Sequence, residues 1–389
     1  MAKLIEITGK ALSGEWGTDD ETGDGIPVLR TTNFTNEGVV DYRNVVTRTI
    51  TKKKIEEKYL RKGDIIIEKS GGSDKQPVGR VVFFDGPEQT YLFNNFTGLL
   101  RVKDQTTWYP RYVFYSMYSN YRRGGTRAFE NKTTGLHNLK TDDYVSRYEV
   151  SETSMENQME ICERLDRLYG IIKMRQQELQ KLDELIKARF VEMFGDPVSN
   201  SKHLPLKTLP QLGTFGRGVS KYRPRNAPEL LNGPYPLIQT GDIANSELYI
   251  KNYNNTYSEV GLKQSKMWDK GTLCITIAAN IAKTAILQFD ACFPDSVVGF
   301  NGNNLIDNIF VHYWFSFFQE ILENQAPESA QKNINLKILS ELQIITPDII
   351  EQNQFANFVR QVDKSREEVK RSLEKTQKLY DSLMQEYFG

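Results

Sequence analysis

The 389-residue chain contains only three cysteines and three histidines, scattered along it at no metal-ligand spacing. Cys162, Cys274 and Cys292 show no CxxC or disulfide-like spacing, and His137, His203 and His312 stand at no ligand spacing to one another or to the cysteines. A disulfide framework is therefore not expected, a reducing cytoplasm is, and the histidines read as structural or surface residues. The opening MAKLIEITGK lacks the apolar core of a signal peptide. The most apolar run, IFVHYWFSFF at 309 to 318, is too short to cross a bilayer and is expected to be a buried helix or strand. Neither sign of charge is in excess: 50 basic residues offset 50 acidic ones, so the long-range field is weak and any anion binding must come from local clusters. The phosphate-cradling GxxxxGK, the metal-binding HExxH, the GxSxG elbow and a GxGxxG after a strand are all missing. So is the Asp/Asn-Pro-Pro-aromatic tetrapeptide of amino-methyltransferases, and neither a catalytic nor a metal site is expected.

What the chain does have is itself, twice. Its length exceeds what one ordinary core covers, and 39% hydrophobic with 26% charged residues suits folded globular units. IPVLRTTNF at 26 to 34 resembles YPLIQTGDI at 235 to 243, with Pro27 and Pro236 209 positions apart. KGDIII at 62 to 67 resembles KGTLCI at 270 to 275, a shift of 208 at the glycines. Gly98 and Gly299 then differ by 201, NLK at 138 to 140 and at 335 to 337 by 197, and Phe194 and Phe388 by 194. Chance matches would scatter; these shifts fall in order, as for a second copy with shorter loops.

Each copy starts with short β-type runs, such as RVVFFD at 80 to 85 and TAILQFD at 284 to 290, between Gly, Asn and Pro clusters, and ends in a long helix. In the first helix Ile161, Leu165, Leu168, Ile172, Arg175, Leu179, Leu182, Ile186, Arg189 and Met193 follow the alternating four-three step of a coiled-coil seam. In the second the same register holds Phe355, Val359, Val362, Arg366, Val369, Leu373, Thr376, Tyr380, Leu383 and Tyr387. Capping boxes at Thr153 with Glu156 and Asp348 with Glu351 open the helices, Gly195 with Pro197 stops the first, and Gly389 follows the second. A helix from 157 to 194 is roughly 57 Å long at 1.5 Å per residue. The fold class expected is α+β: two mixed α/β domains separated by two long helices that form an antiparallel coiled coil, related by an internal pseudo-two-fold repeat. Arginines on a seam cost burial energy unless they reach solvent or an acid. The plainer reading is two amphipathic helices, each packed on its own domain.

Basic and polar clusters recur in both copies. EKSGGSDKQPVGR at 68 to 80 offers Lys69, Ser73, Lys75, Gln76 and Arg80 on a glycine-rich loop, suited to phosphates and base edges. The stretch 119 to 140 concentrates Arg122, Arg123, Arg127 and Lys132, and 217 to 225 holds Arg217, Lys221, Arg223 and Arg225 with no acid. Asn280, Lys283 and Lys332 complete the candidate DNA-binding set of the second copy. The loop after the shared KG strand differs between copies, TIAANIAKT at 276 to 284 standing where the first has EKSGGSDKQPVGR. The helices keep step while the loops diverge, which suits a constant spacer carrying two different reading heads. Each loop taken alone also fits a mobile hairpin or a solvated surface.

Domain, long helix ending LDELIKARFVEMFGDP at 182 to 197, second domain, second helix: this layout over the full chain, with KSGGSDKQPVGRV and RFVEMFGDP, resembles the specificity subunit of type I restriction-modification systems. The resemblance implies a target-recognition domain at 1–152, a conserved spacer helix at 153–197, a second recognition domain at 198–347 and a second spacer helix at 348–389. It implies a non-catalytic subunit that reads a bipartite duplex DNA sequence and docks two modification (methyltransferase) subunits, with restriction (translocase and endonuclease) subunits as further partners and no membrane. It places no cofactor in this chain; S-adenosylmethionine and ATP would sit on those partners. Two other readings of the same residues stand beside it. One is a coiled-coil scaffold that grips proteins, and the other an enzyme of unfamiliar site, for which TDDETGD at 18 to 24 is the only dense acidic group.

Overall fold

In the computed structural model the chain falls into two compact units, Met1–Gln176 with Arg371–Gly389, and Gln177–Lys370. The structure describes residues 1–52, 55–133, 136–278, 281–325 and 334–389, and the side chains of 132, 133, 136, 320 and 323–325 lie outside that description. Both long helices, Met155–Phe194 and Ile349–Phe388, are divided between the units.

The first unit is organised by the strand Ile65–Glu68, central with its neighbour Thr97–Leu100 in a four-stranded sheet whose outer strands are Leu12–Ser13 and Val81–Phe83. Side chains on a strand alternate between faces. Ile65 and Ile67 enter one core with Val81, Leu100 and the helix Pro110–Arg122, while Ile66 enters another with Leu29, Val82 and Leu99. Both faces are covered, which explains an uninterrupted Ile-Ile-Ile, and each such buried side chain is worth about 1.5–3 kcal/mol. A second four-stranded sheet, in the order Thr18–Asp19, Val46–Thr49, Ile26–Leu29, Leu92–Phe93, closes over the smaller core. Pro110 occupies the first turn of its helix, where no amide donor is needed, and Gly124 at φ 76° follows its end.

The second unit repeats the plan. Leu273 and Ile275 of the strand Leu273–Thr276 face the larger core, Cys274 the smaller one with Trp268 and Phe293. The run at 309 to 318 lies within the helix Asn308–Gln325. Strand pairing corrects two of the sequence matches. Gly98 pairs with Ile67, but Gly299 pairs with Cys274, and Val298 is the residue opposite Ile275; the shift here is therefore 200, not 201. Asn138 lies in the strand Leu136–Leu139, whereas Asn335 caps the helix Leu336–Glu341 and corresponds to Lys140, the cap of Thr141–Arg147. Ladder hydrogen bonds set register, and an isolated shared residue does not.

Within each unit one half of each long helix runs antiparallel to a half of the other. In the first unit Cys162, Leu165 and Ile172 share a core with Tyr380, Met384 and Phe388; in the second Ile186, Phe190 and Phe194 share one with Phe355, Val359 and Val362. Of the seam positions, Leu165, Ile172, Ile186, Phe355, Val359, Val362, Val369 and Tyr380 are buried, and Ile161, Leu168, Leu179, Leu182, Leu373 and Leu383 are half-buried. Towards the helix ends the buried stripe steps by four, at 186, 190 and 194 and at 380, 384 and 388, where the sequence pattern expected Arg189, Met193 and Tyr387. A straight helix drifts by about 20° per heptad, and here it drifts onto the globular core of its own unit. The helices thus both pair and pack on their domains. Arg366 is fully covered yet satisfied by Asp183 on the facing helix, Asp363 one turn back at 3.1 Å and Glu247 at 4.0 Å. Arg189 instead reaches solvent, paired with Glu192 at 2.8 Å. The first helix is capped by Ser154, whose Oγ accepts from the Asn157 amide at 3.2 Å, rather than by Thr153; Asp348 caps the second.

Candidate nucleic-acid interface

The loop 68 to 80 leaves the central strand of the first unit and returns to it, closed by the Glu68 amide donating to the Arg80 carbonyl at 2.8 Å. Ser70–Gly72 pairs with Leu136–Leu139, so the structure brings this loop against the basic stretch 119 to 140. Gln76 Nε2 donates to Asn36 Oδ1 at 3.0 Å and to the Tyr121 hydroxyl at 3.1 Å, and Ser73 Oγ accepts from the Gln76 amide at 3.2 Å. Arg127 donates to the Asp74 carbonyl at 3.2 Å. His137 is buried between Glu130 at 3.0 Å and Asp74 at 3.6 Å. Lys75 is exposed at the tip. Lys69 reaches Ser13 Oγ at 2.8 Å, and burial pulls its ammonium below the usual lysine range.

Arg80 does something else. Its guanidinium donates to the carbonyls of Phe34 at 2.8 Å and Thr31 at 2.9 Å and to Glu68 Oε1 at 3.2 Å, with the side chain only 16% exposed. Burial pushes the Glu68 carboxyl up, against the opposing pull of Arg80. Arg80 therefore ties the loop to the Thr31–Asn33 turn. Arg122 and Arg123 leave the loop cluster for the second long helix, pairing with Asp381 at 3.3 Å and with the Phe388 carbonyl. Lys132 lies on the strand Glu130–Thr133, its side chain outside the described residues.

In the second unit Lys221, Arg223 and Arg225 are exposed together on one loop with Tyr222, and Arg217 is exposed at the end of the adjoining strand Gly213–Arg217. Arg225 pairs with Asp295 at 2.6 Å, and Arg223 donates to the carbonyls of Ser220 and Tyr222 at 2.6 and 2.8 Å. The loop is held by Gln264 Oε1, which accepts from the amides of Lys221 and Tyr222 at 2.7 and 3.1 Å. Lys283 takes the place of Arg80: the Thr276 amide donates to its carbonyl at 2.9 Å. Asn280 and Lys332 lie outside the described residues.

Sequence reasoning passed over one feature shared by both units. The strand Ile26–Leu29 and its equivalent Leu231–Leu237 each pair antiparallel with one neighbour and parallel with another, and each runs straight into a tight turn. The Arg30 amide donates to Asn33 Oδ1 at 3.0 Å, the Gln239 amide to Asp242 Oδ2 at 2.8 Å. Nearby, a Cβ on Gly14 would meet the carbonyl oxygens of Phe93 and Asn94, and one on Gly218 those of Phe293 and Pro294, all within 2.5 Å. Only glycine permits that approach, so the backbone frame is the same in both. The side chains it carries differ. Beside Gln239 is a pocket of about 250 Å³ lined by Ser220, Arg225, Thr240 and Ser296 among others. The matching positions 30 and 239 were visible in the alignment of IPVLRTTNF with YPLIQTGDI, but nothing in either segment marked them as charged clusters.

Among the described residues no group of three or more His, Cys, Asp or Glu is placed to hold a metal, and no helix is long and apolar enough to cross a membrane. The chain matches the family model described as type I restriction modification DNA specificity domain twice, over residues 2–184 and 208–376. It is similar to the putative type I restriction enzyme MjaX specificity subunit of Methanocaldococcus jannaschii, 20% identical over 400 residues covering 99% of this chain and 90% of that protein. Its fold resembles the crystal structure of the type I restriction-modification S subunit from M. genitalium (TM-score 0.64, 15% identity, 100% of this chain and 95% of that one). It also resembles a chain from a study of complex assembly and conformational transition in the type I system (TM-score 0.57, 15% identity, 100% and 96%).

Proposed function

Because the chain belongs to the type I restriction-modification DNA specificity family, whose members are non-catalytic subunits, we propose that its two units read the two halves of a bipartite duplex DNA target. The observation that carries this is the duplication itself: one strand-and-turn frame, built twice, with unlike side chains mounted on it. Two copies of one frame with the same chemistry would read a palindrome, and two with different chemistry read an asymmetric split sequence. Lys75, Arg217, Lys221 and Arg223 supply phosphate contacts, which give affinity that falls with salt. The long helices dock two modification subunits, which bind S-adenosylmethionine and methylate adenine; restriction subunits that use ATP complete the assembly in the cytoplasm.

The test is to co-express the chain with the methyltransferase subunit encoded beside it and map methylated adenines across the host chromosome. A split motif with a constant unread gap is expected. Methylation at an undivided motif, or methylation that does not depend on this chain, removes the reading.

A further inference from the structure

Resting on that reading, we infer that the turn following the parallel-paired strand is where each unit reads base edges, with Arg30 and Gln239 as topologically equivalent specificity residues, the first for guanine and the second for adenine. Three independent observations converge there. The frame is the same to the level of a single hydrogen bond, Arg30 amide to Asn33 and Gln239 amide to Asp242. Exposure is the second: Gln239 is open to solvent at the lip of the pocket, and Arg30 is half-exposed with one guanidinium bond, to the Asn44 carbonyl at 3.3 Å.

The third is unspent hydrogen-bonding capacity. Ser220 is 6% exposed and lines the second unit's pocket, yet its Oγ has no partner in the chain. In the first unit Arg30 Nε and Asn94 Oδ1 are likewise buried without partners, and Asn94 is held beside Arg30 because its amide donates to the Leu29 carbonyl at 2.9 Å. Buried polar atoms are normally satisfied, and Ser220 Oγ, unpartnered in the wall of an open polar pocket, is placed to take its hydrogen bond from a ligand. Both ends of the pair have the right chemistry. An arginine fork matches O6 and N7 of guanine, and a glutamine amide matches N6 and N7 of adenine, each pair discriminating by roughly 5- to 150-fold. Trp16, with Arg48 stacked 4.2 Å over its ring, stands in the first unit where Ser220 stands in the second, so that site is aromatic and cationic and the other is hydroxylic.

The experiment is selection from a pool of random duplexes by the full-length chain co-expressed with its methyltransferase subunit, followed by sequencing of the bound fraction. The wild type is expected to enrich a split motif. Gln239→Ala should lose an adenine preference in one half only, at least fivefold at one position, and Gln239→Glu should move that preference towards cytosine, whose N4 amine a carboxylate accepts. Arg30→Gln should turn a guanine in the other half into an adenine. Gln239 is exposed, so unchanged thermal melting of its variants serves as the folding control. If the wild type enriches a split motif and all three variants enrich the same one, this assignment is wrong while bipartite reading stands. If the wild type enriches nothing, the proposed function fails and this assignment with it.

Discussion

Gln158 and Gln352, 194 positions apart, make the same three hydrogen bonds at the start of the two long helices. Gln158 accepts from the Tyr109 amide at 2.8 Å and donates to the carbonyls of Thr107 and Thr153; Gln352 accepts from the Asp307 amide at 2.9 Å and donates to those of Leu305 and Pro347. Both are completely buried. A glutamine amide offers one acceptor and two donors in a fixed plane, which is what it takes to bind the loop before a domain helix to the root of a long one.

The consequence is mechanical. Gln352→Leu keeps the volume but strands one buried amide and two buried carbonyls, and should cost about 3 kcal/mol, read from urea unfolding at fixed pH. Gln158→Leu should cost a similar amount in the first unit. A loss under about 1 kcal/mol for both would show that packing alone fixes these junctions.

Arg366 is the charge most deeply placed on the helix pair, 3% exposed, while Asp183 opposite it has a side chain 64% exposed. Arg366→Met and Arg366→Ala both take the cation from Asp363, while Glu247 keeps Lys370 at 2.5 Å. Arg366→Met preserves the stem and should cost about 1–2 kcal/mol, and Arg366→Ala, which also opens a cavity, about 2–4 kcal/mol. A double-mutant cycle with Asp183→Ala should return a coupling of about 0.5–1.5 kcal/mol, since one partner is wet. A coupling near zero would make the contact incidental.

His312 hydrogen-bonds Thr284 at 2.9 Å, and burial lowers its imidazole from the ordinary 6.5 to about 4. The unfolded chain therefore binds the extra proton first. The native state keeps its full stability above pH 6.5, loses it progressively as pH falls from 6.5 towards 4, and loses no more below that, a decrement on the order of 1–3 kcal/mol. His312→Gln, which cannot titrate, should flatten that part of the pH dependence when urea midpoints are compared at pH 7 and pH 5.

Arg80 and Lys75 sit on one loop and should behave oppositely. Arg80→Ala removes three hydrogen bonds and leaves Glu68 buried without its cation, so a loss of about 2–4 kcal/mol in stability is expected. Lys75→Ala should leave the melting temperature unchanged and lower DNA affinity, with the slope of log K against log salt reduced by about one. Equal melting temperatures for the two variants would contradict the tying role drawn for Arg80.

Much of this molecule was legible in one dimension. Helices that bury a stripe must repeat it at close to seven residues, so the seam from Leu165 to Ile186 and from Phe355 to Tyr380 could be read off, as could the likeness of IPVLRTTNF to YPLIQTGDI, though not the turn that both segments enter. Register was less legible. Two glycines 201 apart suggested an equivalence that the ladder, pairing Val298 with Ile275, places one residue away. Arg80 shows the same limit for function: among Lys69, Lys75 and Arg80 nothing in the sequence distinguishes a solvent-facing cation from one whose acceptors, at Thr31 and Phe34, lie almost fifty positions earlier.

By itself the sequence determined the duplication, the two long helices, their polar and apolar faces and the absence of familiar catalytic motifs, because periodicity and composition are local properties that survive without coordinates. Tertiary structure decided which polar groups are already spent and which are free, turning Arg80 into a strut and exposing Gln239 beside an unpartnered Ser220. Hydrogen-bond satisfaction is a property of neighbours in space, and no spacing along a chain encodes it.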